Sequence, residues 1–458
     1  MKTRTTIVIL LFLYCQLTAQ TITGNLSQLA KQEIKVEGFN GLETYSIAKT
    51  TLDEKGNFSV SYTKEDKGIG YLTSADNKPL FVILSGEDIT LQGETLRFLE
   101  TIKITKGVEN KAFETYAKNH PKREQALSAW VYLENLYRTD SLFSIQKSPS
   151  QAIQKEKKRI HQEDAAFLAS LPKDSYVKWF LPIRKLVSSV SAVAQYRPKE
   201  IPATLAALRN INYADARLYK SGLLKEAIEN HIWFIENSSG ALDAVFKDLN
   251  SSIDIIIEQL KEDNEKFNLI ATTMFEVLEE RSLFTSAEYL AKKLLEDEDC
   301  GCLNPDFEKR MQKYGKMAEG STAPDIALGE ATYYPEGVTA RKLSEVKSDY
   351  TLVVFAAGWC PHCTEELPKI ANYYPTLKQK NVEVILVSLD ENASDFAKFA
   401  APFPFISTTD YKKWGGQAAT DYQVYATPSY FLLDKDLKIV KRLNSVEHLK
   451  AVVDNKIK

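Results

Sequence analysis

Two cysteines two residues apart carry the clearest chemistry in this 458-residue chain. They lie in Gly358-Trp359-Cys360-Pro361-His362-Cys363, directly after the strand-like run 351–356. The pattern predicts that a buried strand ends here and a helix begins. Pro361 suits the first helical position, where its missing N–H leaves nothing unpaired. Cys360 then stands at a helix N-terminus, among free backbone N–H groups and the positive end of the dipole, a setting that favours a thiolate. Cys363, one turn later, is within reach of a mixed disulfide formed at Cys360. This chemistry is thiol–disulfide exchange, with a Cys360–Cys363 disulfide as the redox group and no other cofactor expected. A structural disulfide and half of a zinc site are the competing readings. Zinc needs two further ligands at a compatible spacing. The chain has five histidines, and none forms a second Cys/His cluster near this pair, so no metal is expected.

Cys300-Gly301-Cys302 is a second pair. It follows the acidic run Glu296-Asp297-Glu298-Asp299, which disfavours thiolates. A disulfide across one residue would close a small, strained ring, and strained bridges are the labile ones. The pair is a candidate second redox centre exchanging with Cys360 and Cys363. The competing readings are a structural disulfide and two ordinary thiols at a domain junction.

Length suggests about three domains. A hydrophobic content of 44% and a charged content of 26% fit globular protein. A net charge of −3 gives no electrostatic footprint for nucleic acid or an anionic membrane. Residues 1–19 read as a secretory leader: Lys2 and Arg4, an apolar run from Ile7 to Tyr14, then Leu17-Thr18-Ala19. The run is too short to span a bilayer. Bulky Tyr14 before Cys15 argues against a lipid anchor. Cleavage would leave Cys300, Cys302, Cys360 and Cys363, a paired set that suits an oxidising compartment. A periplasmic or envelope location is the expectation.

The elements around the pair follow from periodicity. Residues 20–106 alternate at period two in 21–24, 34–38, 45–48, 58–62, 80–84 and 89–91, with polar turns between them. A small β-sandwich is predicted, as a folding or docking module or, alternatively, a ligand-binding face. Residues 107–317 change to helical spacing, and a bundle of six to eight helices is predicted. His120, His161 and His231 read as surface or packing residues. Residues 318–458 alternate strand and helix: strands at 352–356, 382–389, 430–433 and 438–443, helices at 360–374, 393–399 and 445–455. Asn444 followed by Glu447 resembles a capping box for the last helix. The expected class is a mixed α/β sheet covered on both faces.

Trp359-Cys360-Pro361-His362-Cys363, Pro368, and Ala426-Thr427-Pro428-Ser429 before a strand together resemble a thioredoxin fold. Ala323-Pro324-Asp325 upstream and Glu366 after the second cysteine resemble its TlpA/ResA branch, exported thiol–disulfide oxidoreductases of bacteria. The likeness covers about residues 320–458. The β region is more weakly similar to a domain of unknown function that often precedes such domains. The resemblance implies that Cys360 is the nucleophile and Cys363 the resolving thiol. It implies that Pro428 follows a cis bond and that Thr427 and Trp359 face the substrate chain. Many thioredoxins bury an aspartate six residues before the first cysteine, where this chain has Val354; Glu366 is the implied substitute base. A solvated helix glutamate is the competing reading. Pro361-His362 matches the strongly oxidising DsbA family, with His362 tuning the Cys360 thiolate, whereas the surrounding domain resembles reductants. Direction of electron flow stays open. Implied partners are thiol- or disulfide-containing exported proteins and a redox partner. A non-enzymatic envelope scaffold and, less favoured, a thiol peroxidase are the alternatives.

Overall fold

The computed structural model describes residues 19–75, 79–238, 240–296 and 303–457. The leader-like segment and the Cys300-Gly301-Cys302 pair lie outside the described residues. The chain forms two compact units, one ending at Phe234 and the other beginning at Ile235.

The first unit opens with eight strands: β1 (Gln20–Leu26), β2 (Glu33–Asn40), β3 (Glu43–Thr51), β4 (Asn57–Tyr62), β5 (Gly68–Ser74), β6 (Leu80–Leu84), β7 (Ile89–Gly93) and β8 (Lys103–Lys106). They make two four-stranded sheets, ordered β4-β1-β7-β8 and β3-β2-β5-β6. In β4, Phe58, Val60 and Tyr62 are buried while Asn57, Ser59 and Ser61 are exposed, the alternation of a half-buried strand. Ile22, Val36, Val60, Leu72 and Leu91, drawn from both sheets, share one core, as a sandwich requires. Strands β5 and β8 escape the sequence pattern. Gly68 and Gly70 make β5 read as a turn, and β8 is short and mostly polar. Edge strand β6 is sealed by Asn110: its side chain accepts from Ile83 N (2.8 Å) and donates to Ile83 O (2.9 Å). That removes one exposed pairing site from the sheet edge.

Ten helices follow among the described residues, against six to eight expected. They are α1 (Val108–Thr139), α2 (Lys147–Ser170), α3 (Tyr176–Tyr196), α4 (Ile201–Arg209), α5 (Ala216–Tyr219), α6 (Leu224–Ser238), α7 (Leu242–Glu258), α8 (Asn264–Glu280), α9 (Phe284–Glu296) and α10 (Pro305–Gly315). Short pieces such as α5, a single turn, raise the number. The first unit takes the chain into α6, and the second carries α7 to α10. Among the described residues no helix is long and apolar enough to cross a membrane.

His231 of α6 is buried, and burial pushes its pKa down to about 3, with the Arg209 charge adding to the effect. The unfolded chain takes up this proton near pH 6.5 and the folded chain does not. Stability is therefore full above pH 6.5 and falls as the pH drops toward 3. Between about pH 6.5 and 5 this site alone should remove roughly 2 kcal/mol. Urea midpoints at pH 7 and pH 5 check this. His231→Gln should lose less stability over that interval, and an equal loss in both proteins would exclude the assignment.

The second unit ends in a six-stranded sheet. Its strands are β9 (Thr332–Tyr333), β10 (Tyr350–Ala356), β11 (Val382–Ser388), β12 (Ile406–Thr409), β13 (Ser429–Asp434) and β14 (Ile439–Leu443), in the order β14-β13-β10-β11-β12-β9. Parallel pairing links β10, β11 and β12, and the remaining pairs are antiparallel. Every residue of β11 is buried, as expected of a strand covered on both faces. Four helices complete the fold: α11 (Pro361–Gln379), α12 (Ala393–Ala400), α13 (Gln417–Asp421) and α14 (Val446–Lys456). The cap of α14 is Ser445, not Asn444: the Ser445 hydroxyl accepts from His448 N at 3.1 Å. Asn444 Oδ1 lies instead 2.9 Å from the His448 ring nitrogen Nδ1.

Candidate active site

β10 is apolar through Ala356 and ends against the turn that starts α11. Pro361 occupies the first helical position and Cys360 is the N-cap. The Cys360 Sγ accepts a hydrogen bond from Cys363 N at 3.2 Å, so a backbone donor of the first turn points at this sulfur. Such a bond strengthens when its acceptor is an anion. Both cysteines are free thiols. Cys360 keeps 6% of its surface exposed and Cys363 none, so an incoming sulfur meets Cys360 first. Burial pushes the Cys363 thiol up, and its hydrogen bond with Cys360 adds to this. The Ala357 amide and Thr427 pull the other way. Cys363 is thus held as a thiol and needs a proton acceptor before it can attack.

The loop before β13 comes to the same place. The Thr427–Pro428 bond is cis. Cys360 Sγ donates to Thr427 O at 3.4 Å, across 67 residues of sequence. Trp359 is 47% exposed beside the sulfur, its ring edge-on to Trp414 with centroids 5.9 Å apart. Lys413 Nζ lies 5.3 Å from the Trp359 ring. His362 is exposed on the first turn of α11. Trp359, Cys360, Cys363, Thr427 and Pro428 are therefore brought together around one sulfur.

Glu366 sits one turn beyond Cys363, mostly buried. Its Oε1 pairs with Lys369 Nζ at 2.5 Å, and its Oε2 accepts from Val446 N at 3.1 Å. The second bond ties α11 to the first turn of α14, where a carboxylate is favoured by the dipole. In this state neither goes to Cys363.

Asp390 was not visible in the sequence as a site residue. It lies two residues past the end of β11, is 1% exposed, and its carboxylate accepts from Gly358 N (3.1 and 3.2 Å) and from Ser388 Oγ (2.7 Å). It fixes the turn that presents Trp359 and Cys360. Gly358 is packed so closely that a Cβ there would lie 3.3 Å from Phe399 Cβ and 3.4 Å from Asp390 Oδ1. The available signal was an acid just past a mostly apolar strand, at the edge where parallel sheets place their sites.

Away from this site, His120, Glu124 and Asp164 bring ligand-type atoms within 4.8 Å of one another. Cations already occupy the group: Lys185 Nζ lies 2.8 Å and Arg123 3.0 Å from the Asp164 carboxylate. His120 stacks on Tyr116 with centroids 4.6 Å apart, in keeping with a packing role.

The redoxin family model matches residues 318–457. The C-terminal third of this chain belongs to the thioredoxin-like redoxin superfamily. Similar curated proteins include Thiol-disulfide oxidoreductase ResA of Bacillus cereus, 28% identical over 137 residues, which are 30% of this chain and 76% of that protein. The protein of the same name from Geobacillus thermodenitrificans is 30% identical over 129 residues, covering 27% of this chain and 68% of its own length. Among solved structures, a thioredoxin-like protein from Bacteroides caccae is 18% identical and has a TM-score of 0.39. The match covers 56% of this chain and 93% of that one.

Proposed function

We propose that this chain is an exported thiol–disulfide oxidoreductase of the TlpA/ResA branch, exchanging disulfides with thiol-bearing envelope proteins. The observation that carries the reading is the slightly exposed Cys360 sulfur, capped by Cys363 N and set against Thr427 O beside Pro428. In the reducing direction, the Cys360 thiolate attacks a substrate disulfide. A Cys360–substrate bond forms and one substrate thiolate leaves. Cys363 then gives up its proton, with Glu366 as acceptor, and attacks the Cys360 sulfur. The Cys360–Cys363 disulfide forms and the second substrate sulfur leaves. The substrate gains two electrons, the pair loses two, and a redox partner restores the dithiol. The same steps in reverse oxidise a substrate.

Trp359 and Thr427 contact the substrate chain in this scheme, Pro428 shapes that contact, and Pro361 and His362 tune the nucleophile. Residues 1–19 direct export. Residues 20–106 and 107–317 position the redox domain at 318–458 or select its partner, and Cys300 with Cys302 forms a second redox or structural pair.

The test is capture of partners from the native envelope. Cys363→Ala cannot resolve, so it should hold substrates as reducible adducts, and Cys360→Ala should hold none. An adduct yield from Cys363→Ala no higher than from Cys360→Ala would refute the scheme. Rapid peroxide consumption by the wild-type chain would favour a peroxidase instead.

A further inference from the structure

One polar group near the redox pair is left unused by these steps. Tyr430 lies in β13, two residues after Pro428, and is 1% exposed. Its hydroxyl is buried and makes no hydrogen bond. The strand register sets it opposite Val354 on one side and Leu443 on the other. Both neighbours are apolar and supply no acceptor. A buried donor without a partner is rare and calls for a cause, such as a partner present only in another state. Burial comes first among the effects on this phenol, followed by the charges of Glu366, Cys363, Cys360 and Glu447. The first three belong to the opening turns of α11, and Glu447 to the first turn of α14. Lys369 is the cation paired with Glu366.

Tyr430 shares a sheet face with Val354, three residues before Ala357, whose amide serves the Cys363 sulfur, and it lies three residues after Thr427, whose carbonyl meets the Cys360 sulfur, so its ring sits in the core near the redox pair. In the dithiol state Cys363 is a neutral thiol, and its sulfur is a weak acceptor. During resolution that sulfur becomes an anion with no exposed surface. The Cys363 N–H cannot serve it, since it is already given to Cys360. Ala357 and Thr427 already favour the anion. One more donor, still unspent, stands ready in β13.

We propose that the Tyr430 hydroxyl is the donor reserved for the Cys363 thiolate that forms while this sulfur resolves the mixed disulfide. The inference rests on the exchange reading above and adds a hydrogen-bond donor to its second step. The proton lost by Cys363 goes to the Glu366 carboxylate. Tyr430 keeps its own proton and shares it with the new anion. The Cys363 sulfur then forms its bond to Cys360 and the substrate sulfur departs.

An aromatic disulfide reagent that releases a coloured thiolate separates the two steps, in a chain whose remaining cysteines are serine. The first burst reports attack by Cys360 and the second reports attack by Cys363. Tyr430→Phe keeps the ring and removes only an unpaired hydroxyl, so the fold and thermal midpoint should be retained. The first burst should be unchanged. The second should slow about tenfold at pH 7, its pH midpoint rising by about one unit. Site-specific meta-fluorotyrosine at position 430, a stronger donor, should lower that midpoint. A second burst with the wild-type rate and midpoint overturns the proposal, as does slowing without a midpoint shift, which marks a structural role. Absence of both bursts from the parent chain, in contrast, overturns the exchange reading itself.

Discussion

Replacing Cys360 by alanine should abolish dithiol–disulfide exchange, leaving only the uncatalysed background. The prediction follows from the difference in access between two sulfurs. Cys363 retains its thiol in Cys360→Ala, but it has no exposed surface and its thiol form is favoured by burial. It can neither meet a substrate disulfide nor ionise readily to attack one. Cys360 has the opening and the backbone donor. Insulin reduction by the two single variants checks this. Cys360→Ala should show no turnover, whereas Cys363→Ala should react once and stall. Turnover by Cys360→Ala at more than a trace of the wild-type rate would move the nucleophile elsewhere.

Asp390→Ala should cost about 2–3 kcal/mol of stability and slow exchange on the order of ten- to hundredfold. The carboxylate serves the Gly358 N–H and the Ser388 hydroxyl in a buried setting. Alanine would leave both donors unpaired, and a lost ionic hydrogen bond in the interior is among the larger penalties a point change carries. The same change frees the turn that holds Trp359 and Cys360, so the nucleophile is less well placed. An asparagine side chain has the same shape and keeps an acceptor for the Gly358 N–H. Asp390→Asn should therefore recover most of the activity. Urea unfolding and single-turnover exchange on the wild type and both variants check stability and rate. Equal loss in the two variants would show that charge, not placement, is what Asp390 supplies.

The redox segment was legible because its signals are local. An apolar run, a glycine, and a proline at the first helical position all fall within a dozen residues, and together they fix the strand-to-helix junction. The alternation of β4 was equally plain. Asp390 was not, because its partner Gly358 lies 32 residues away and only the parallel pairing of β10 with β11 brings them together. Tyr430 gave no signal either: its meaning comes from a register with Val354 that no local pattern reveals. Strand β5 was hidden by its glycines, which lack the side chains that alternation is read from. The α14 cap was misplaced by one residue because Asn444 and Ser445 are both good capping types. The backbone geometry at Ser445 decides between them.

The most direct test of the account is a redox equilibration of the purified chain in graded glutathione buffers, with acid quench, alkylation and mapping of positions 360 and 363. The two sulfurs should pass together between dithiol and a mutual disulfide. Their single midpoint should lie between about −270 and about −120 mV, the values of thioredoxin and DsbA. In the reduced protein Cys360 should be alkylated well before Cys363. Two sulfurs that never join across that range, or that alkylate at one common slow rate, would contradict the account.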